Sequence, residues 1–185
     1  MPSGSSDERT SLILYGWTGS GPEHWQSWLA ARLAERGRRV RYPALPQPDE
    51  LQLSDWLAAL DAELAAAPGE VDVLCHSLAC FLWMHHAARR PGPVARVLLV
   101  APPSPAWNEP TAASFLPPPF DVEALRGAAD STLLVWGDGD PYCPEGAAEA
   151  FPGLEMLHVP GGAHLNVEAG YGPWPWIEAW ALGRT

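Results

Sequence analysis

The chain has few basic residues and no long apolar run. Lys and Arg together number 11 against 22 Asp and Glu, so the formal net charge is −11 over 185 residues. An acidic surface repels phosphate backbones and anionic headgroups, so neither nucleic acid nor a membrane is expected as a partner. No apolar stretch approaches the roughly 18 residues of a membrane span, and residues 1–10 lack the apolar core of a signal peptide.

Cysteine is also scarce. The chain has Cys75, Cys80 and Cys143, and none of them forms a Cys-x-x-Cys pair. An odd number of cysteines without paired spacing is typical of a reducing compartment, so we expect a cytoplasmic protein. The His and Cys residues do not show the spacing of a metal site. The sequence therefore predicts neither a metal nor any other cofactor, and it does not identify a protein partner.

Short apolar runs alternate with helix-like stretches along most of the chain. Strands are predicted at residues 12–15, 39–42, 71–74, 94–100, 132–136 and 155–159, and helices at 23–36, 53–67, 78–90, 122–129 and 174–182. This alternation is typical of βαβ units and predicts a parallel sheet with helices on both faces.

The length and the composition, which is 47% hydrophobic and 18% charged, suit one globular domain. We expect residues 11–185 to form that domain and the polar residues 1–10 to be disordered. The Pro-rich residues 102–119 are predicted to be a loop without a regular element.

A buried strand runs directly into Ser77 and then into a helix at residues 71–80, VDVLCHSLAC. A sharp strand-to-helix turn holds such a Ser hydroxyl above the sheet, where it can act as a nucleophile. The usual pattern has Gly two residues before and two residues after the Ser. This chain has Cys75 and Ala79 there, which are small but lack the freedom of Gly at positive φ. A Ser at the start of a helix is also a common N-cap, so that alternative stays open.

A nucleophilic Ser needs a base, and the base needs a carboxylate that orients it. Residues 136–141, WGDGDP, follow one predicted strand, and residues 160–164, PGGAH, follow the last one. Open α/β sheets place their sites at these carboxyl ends of strands. We therefore predict Ser77 as nucleophile, Asp140 as orienting acid and His164 as base, in the chain order of an α/β-hydrolase. Asp138 is the alternative acid, and we interpret it as a turn residue that bonds its own loop backbone.

The Gly-rich residues 16–21, GWTGSG, follow the first predicted strand. Two backbone N–H groups can stabilise the oxyanion of a tetrahedral intermediate. We expect one from Leu78, directly after the nucleophile, and the other from Trp17 or Thr18. A phosphate-binding loop is disfavoured, because the glycines do not follow Gly-x-Gly-x-x-Gly and no Lys follows as in a P-loop.

Four segments together carry a family resemblance: residues 16–26 (GWTGSGPEHWQ), 75–79 (CHSLA), 140–141 (DP) and 161–164 (GGAH). The chain resembles the small α/β-hydrolases of the YdeN and retinoblastoma-binding-protein type from residue 12 to about residue 180. The resemblance implies a three-layer α/β/α minimal α/β-hydrolase fold with a mostly parallel six-stranded sheet. It also implies a Ser-Asp-His triad on Ser77, Asp140 and His164.

The expected function is hydrolysis of a small carboxylic ester, thioester or amide through an acyl-enzyme on Ser77. The alternative is a non-catalytic or weakly active protein-binding module on the same scaffold, because a fold does not determine a function. Cys75 and Ala79 favour the alternative, and a complete triad favours the enzyme.

Several residues near these motifs have a structural interpretation. We interpret His24 as a structural residue that bonds a nearby loop, and His76 as a packing residue. Cys75 precedes the apex of the turn, so we interpret it as structural and not as a thiol nucleophile. Trp107, Phe115 and Phe120 in the Pro-rich loop either line an apolar pocket or hold the loop down by packing, and the sequence leaves both open.

Overall fold

The computed structural model describes residues 9–46 and 51–185. Its helices and strands follow one another as β1 Arg9–Leu14, α1 Trp25–Glu35, β2 Arg39–Arg41, α2 Leu53–Ala66, β3 Glu70–His76, α3 Leu78–Ala88, β4 Val94–Val100, α4 Val122–Ala128, β5 Ala129–Gly137, α5 Ala147–Ala150, β6 Glu155–Val159 and α6 Pro175–Ala181. The strands form one six-stranded sheet in the order β2-β1-β3-β4-β5-β6, and every neighbouring pair is parallel. The predicted α/β fold with a parallel six-stranded sheet is confirmed.

Both faces of the sheet are buried, which explains why its strands are continuous apolar runs. In β1, Leu12 and Leu14 belong to one hydrophobic cluster and Ile13 belongs to the other, as the alternation of side chains along a strand requires. Helices α2, α3 and α4 pack on the first face, and helices α1 and α6 pack on the second. The result is a three-layer α/β/α arrangement that holds the carboxyl ends of the strands at one edge.

The amino-terminal boundary of the domain needs a correction. β1 begins at Arg9, two residues before the predicted start of the domain, and Thr10 is fully buried. The Thr10 hydroxyl donates to the Pro68 carbonyl at 2.7 Å, so a polar side chain is satisfied inside the fold. Residues 1–8 of the segment predicted to be disordered lie outside the described residues.

The Pro-rich segment also differs from its prediction as a loop without a regular element. It contains a 3₁₀ helix over Pro110–Phe115, whose first turn is capped by the Glu109 side chain accepting from the Thr111 N–H at 3.1 Å. Pro lacks the N–H that is unpaired at a helix start anyway, so Pro110 is compatible with this position. The short helix α5 was not predicted either. Among the described residues, no helix is long and apolar enough to cross a membrane.

Candidate active site

The turn between β3 and α3 places Ser77 in an unusual backbone conformation. Its φ is +55° and its ψ is −124°. A side chain in the left-handed region costs about 1–3 kcal/mol, so the surrounding structure must hold the residue there. The Ser77 N–H donates to the Val100 carbonyl at 2.9 Å. Ser77 occupies the N-cap position of α3, but its side chain makes no capping hydrogen bond, so capping does not explain why a serine stands here.

The turn forms without glycine at the two positions that usually carry it. Cys75 and Ala79 are fully buried, and neither has a positive φ. The close approach is instead at Gly16, where a Cβ would lie 2.9 Å from the Ser77 Cβ and 3.1 Å from the His76 carbonyl oxygen. The loop after β1 therefore contacts the Ser77 turn directly, and any larger residue at position 16 would separate them.

Ser77, His164 and Asp140 form one hydrogen-bonded series. The Ser77 Oγ lies 3.0 Å from His164 Nε2, and His164 Nδ1 lies 2.8 Å from Asp140 Oδ2. The second oxygen of Asp140 accepts from the Tyr142 N–H at 2.9 Å, which fixes the carboxylate plane. An imidazole that donates from Nδ1 to Asp140 has Nε2 free to accept the Ser77 proton. The structure thus brings together the three residues that the sequence singled out.

Two glycines bring the loops of Asp140 and His164 into contact. A Cβ on Gly137 would lie 2.5 Å from the Gly162 carbonyl carbon and 2.6 Å from the Ala163 nitrogen. Gly137 ends β5 and Gly162 follows β6, so these neighbouring strands deliver their loops to the same place. The spacing between base and acid depends on this contact.

Gly137→Ala is expected to destabilise the protein and lower its activity. The added methyl group overlaps backbone atoms and forces the two loops apart, which costs about 1–3 kcal/mol as overpacking does. Gly127→Ala is the matched control, because a methyl group added to that exposed glycine of α4 would have no neighbouring atom within 4 Å. Urea denaturation should give a lower midpoint for Gly137→Ala and an equal or higher one for Gly127→Ala. Equal midpoints for the two variants would contradict the tight contact.

Asp138 points away from the base. Its Oδ1 accepts from the Gly161 N–H at 2.7 Å and contacts His158 Nε2 at 2.9 Å. The Gly161 hydrogen bond, followed by that of His158, lowers the pKa of this exposed carboxyl. The Asp138 carbonyl also accepts from the Ala163 N–H at 3.1 Å. The sequence interpretation is incomplete in one respect, since the Asp138 side chain also bonds the neighbouring loop.

Two buried side chains support the loop of His164, and sequence reasoning missed both contacts. His76 Nε2 lies 3.0 Å from the His164 carbonyl oxygen and donates to it. The Trp25 indole N–H donates to the Leu165 carbonyl at 3.0 Å. The sequence offers only indirect signals for these contacts. His76 directly precedes Ser77, and Trp25 lies in the segment that carries the family resemblance.

The histidines beside the base are neutral at pH 7. Burial, and then the charge of His164, hold the pKa of His24 at about 4. Burial, reinforced by His164 and His24, keeps the pKa of His76 well below its ordinary value. His24 also accepts from the Gln26 N–H at 3.2 Å and so caps α1, as its structural interpretation anticipated. Neither ring is therefore suited to replace His164 as the histidine that takes up and returns a proton.

A pocket of about 340 Å³ opens over Ser77. Trp17, Thr18 and Leu78, the three candidates for the oxyanion hole, all border it. Within residues 9–46 and 51–185, none of their backbone N–H groups donates a hydrogen bond to protein. Unpaired N–H groups at the border of this pocket are compatible with an oxyanion hole, and Trp17 and Thr18 both stay candidates for its second donor.

The aromatic residues of the Pro-rich segment divide into two groups. Trp107 borders the pocket. Phe115 is fully buried against Trp56, with ring centroids 5.3 Å apart, and Phe120 packs on Phe151 at the same separation. Trp107 thus lines the site, whereas Phe115 and Phe120 anchor the segment by packing.

The Cys75 thiol is poorly suited to act as a nucleophile. Cys75 is fully buried, and burial raises the pKa of its thiol, so the thiol is protonated at neutral pH. Over the ranges that the structure describes, no group of three or more His, Cys, Asp or Glu is placed to hold a metal ion.

A family model described as serine hydrolase matches residues 11–181. The chain belongs to the serine hydrolase family. This serine hydrolase is 31% identical over 68 residues to the YdeN protein of Bacillus subtilis (strain 168). That match covers 37% of this chain and only 36% of the relative, about a third of its length. Family membership supports a hydrolytic function at this coarse level.

Solved structures resemble the serine hydrolase over nearly its whole length. The ydeN gene product of B. subtilis has a TM-score of 0.77 at 19% identity, with 95% of this chain and 98% of that chain covered. A YdeN-like protein from Pectobacterium atrosepticum has a TM-score of 0.71 at 24% identity, with coverage of 96% and 91%. A thioesterase domain from the curacin biosynthetic pathway has a TM-score of 0.64 at 17% identity, with coverage of 98% and 93%. At these identities the likeness establishes the fold.

Proposed function

We propose that the protein hydrolyses a small carboxylic ester, thioester or amide through an acyl-enzyme formed on Ser77. The observation that carries this proposal is the hydrogen-bonded series from Ser77 Oγ to His164 Nε2, at 3.0 Å, and from His164 Nδ1 to Asp140, at 2.8 Å. A nucleophile, a base and an orienting acid in this geometry are what acyl transfer requires.

In the first step, Ser77 Oγ attacks the substrate carbonyl carbon while His164 Nε2 takes its proton. The carbonyl oxygen becomes an oxyanion next to the N–H groups of Leu78 and of Trp17 or Thr18. The tetrahedral intermediate collapses, the bond to the alcohol, thiol or amine breaks, and His164 returns the proton to the leaving group. Water then attacks the acyl-enzyme by the same route, which releases the carboxylic acid and regenerates Ser77.

The alternative of a non-catalytic binding module loses the sequence feature that favoured it. Its support was the absence of glycine at positions 75 and 79, yet neither residue needs a positive φ in this turn. The positive φ falls on Ser77 itself, which also supports an activated nucleophile held above the sheet.

A fluorophosphonate probe tests the proposal, because only an activated Ser is labelled rapidly. We expect stoichiometric labelling of Ser77 at neutral pH and burst kinetics with an activated acetate ester. A protein that is folded by circular dichroism but neither labels nor turns over any ester, thioester or amide in a broad panel would contradict the proposal.

We expect short acyl esters to react faster than long ones, with no jump in rate at the micellar concentration. The Pro-rich segment is anchored and is not free to swing as a lid. His85 Nε2 donates to the Phe115 carbonyl at 2.9 Å, and the Ser114 hydroxyl bridges the Leu53 N–H and the Leu51 carbonyl. The test compares acetate, butyrate and palmitate esters of one alcohol across the micellar limit. A preference for emulsified palmitate would contradict the prediction.

A further inference from the structure

The pocket over Ser77 is uncharged. Among the described residues that line it, none is Asp, Glu, Lys or Arg. The histidines that border it beside the base, His24 and His76, are buried and neutral at pH 7 because their pKa values are lowered. A charged group on the leaving-group side would find no oppositely charged residue among the described residues that line the pocket, so the loss of its hydration would be poorly compensated. The net charge of −11 further disfavours anionic substrates.

Aromatic rings extend from the base along one side of the pocket. The ring centroid of Tyr142 lies 4.5 Å from that of His164, and Trp107 meets Tyr142 edge to face at 6.1 Å. Trp17 lies 6.5 Å from Trp107 and continues the wall. Tyr142 is 41% exposed, one of only two large hydrophobic side chains that are exposed among the described residues. An exposed aromatic ring at the mouth of a site provides a surface on which a ligand can pack.

The mechanism assigns this wall to the leaving group. The leaving group receives its proton from His164 Nε2, so it must lie beside the imidazole. The Tyr142 ring lies against the imidazole that protonates the leaving group, and Trp107 packs on Tyr142, so a ring on the leaving group can reach both. The far end of the wall, Trp17, belongs to the Gly-rich loop that carries a candidate N–H donor for the acyl oxygen.

We propose that the enzyme selects uncharged esters and thioesters whose alcohol or thiol part carries an aromatic ring, and that Trp107 is the residue that determines this selectivity. This inference rests on the proposed function. The reaction is the one given above: the bond from the acyl carbon to the leaving oxygen or sulfur breaks, His164 protonates that atom, and the aromatic alcohol or thiol departs.

The test compares benzyl acetate with cyclohexylmethyl acetate. Both esters release an alcohol through the same CH₂–O group, so their intrinsic reactivities are similar and only the ring differs. We expect kcat/KM to be roughly 3- to 10-fold higher for benzyl acetate, the size that a favourable aromatic contact provides. A 4-carboxybenzyl acetate should react at least about 10-fold more slowly than benzyl acetate, because its charge is desolvated in the neutral pocket.

Trp107→Leu should reduce the benzyl-to-cyclohexylmethyl ratio to about one, since it removes the ring and keeps an apolar side chain. Trp176→Leu is the matched control, because Trp176 is also half-buried but packs in the cluster on the opposite face of the sheet. That variant should keep the ratio of the unsubstituted protein. Thermal unfolding of both variants reports whether they remain folded.

The outcomes separate this inference from the function on which it rests. Fluorophosphonate labelling together with equal kcat/KM values on benzyl and cyclohexylmethyl acetate would overturn the inference but not the proposed hydrolase function. Faster turnover of methyl phenylacetate than of benzyl acetate would place the ring on the acyl side and would also overturn it. An absence of labelling and of all turnover would overturn the proposed function and this inference with it.

Discussion

Ser77→Ala is expected to abolish turnover, with a loss in kcat on the order of 10⁶, and to abolish fluorophosphonate labelling. Among the described residues, the Ser77 hydroxyl is the only group that hydrogen-bonds His164 Nε2, at 3.0 Å, so the alanine variant has no nucleophile next to the base. The fold should be little affected. The Ser77 side chain does not cap α3, and alanine has the same Cβ in the same backbone conformation.

Two controls make the Ser77 experiment specific. Ser131→Ala removes the hydroxyl of an exposed serine near the start of β5, and should keep labelling and turnover. Cys75→Ala should also keep labelling, because the protonated, fully buried Cys75 thiol is not the reacting group. Labelling that persists in Ser77→Ala, or that disappears in Cys75→Ala while the variant stays folded, would contradict the assignment of the nucleophile.

Asp140→Asn is expected to lower kcat by about 10⁴, because the imidazole then loses the tautomer that can accept the Ser77 proton. The carboxylate accepts from His164 Nδ1 through one oxygen and from the Tyr142 N–H through the other. An asparagine that keeps the Tyr142 hydrogen bond presents its NH₂ group to Nδ1. That arrangement places the imidazole proton on Nε2, where it opposes the attack of Ser77.

Asp138→Asn is the matched control for Asp140→Asn, because it makes the same change two residues away in the same loop. Asparagine at position 138 can still accept from the Gly161 N–H, and the backbone contact with Ala163 is unaffected. We expect kcat within a few-fold of the unsubstituted protein on the same ester. A large loss at Asp138 together with a near-normal rate at Asp140 would exchange the roles of the two carboxylates.

The residues of the site were predictable because their chemistry is tied to local patterns. Ser77 follows an apolar strand and precedes a helix, and the loops of Asp140 and His164 each follow a strand. In a parallel sheet these positions share one edge, so the chain order alone brought three distant residues into one hypothesis. The choice of Asp140 over Asp138 had a weaker basis. The distances now separate the two carboxylates, since only Asp140 contacts the imidazole.

The contacts that sequence reasoning missed are all between segments far apart in the chain. The sequence favours packing for His76, and nothing in it indicates that His76 bonds the backbone of His164, 88 positions away.

Two local features also differ from the sequence prediction. The 3₁₀ helix at Pro110–Phe115 was not predicted, because a proline-rich segment is typical of loops. The lack of glycine at positions 75 and 79 favours a non-catalytic module in the sequence alone, but the backbone has its positive φ at Ser77 and not at these two residues.

By itself the sequence determined the six strands and five of the helices, because apolar periodicity acts over a few neighbouring residues, whereas α5 and the 3₁₀ helix carry no such periodicity. It also determined the acidic surface and the residue types that acyl transfer needs. The tertiary structure alone decided the strand order β2-β1-β3-β4-β5-β6, which places β3, β4, β5 and β6 side by side. It also decided the backbone contacts of Gly16 with the Ser77 turn and of Gly137 with Gly162. Those contacts depend on how complete strands pack against one another, and that packing sets the 3.0 Å and 2.8 Å distances from His164 to Ser77 and Asp140.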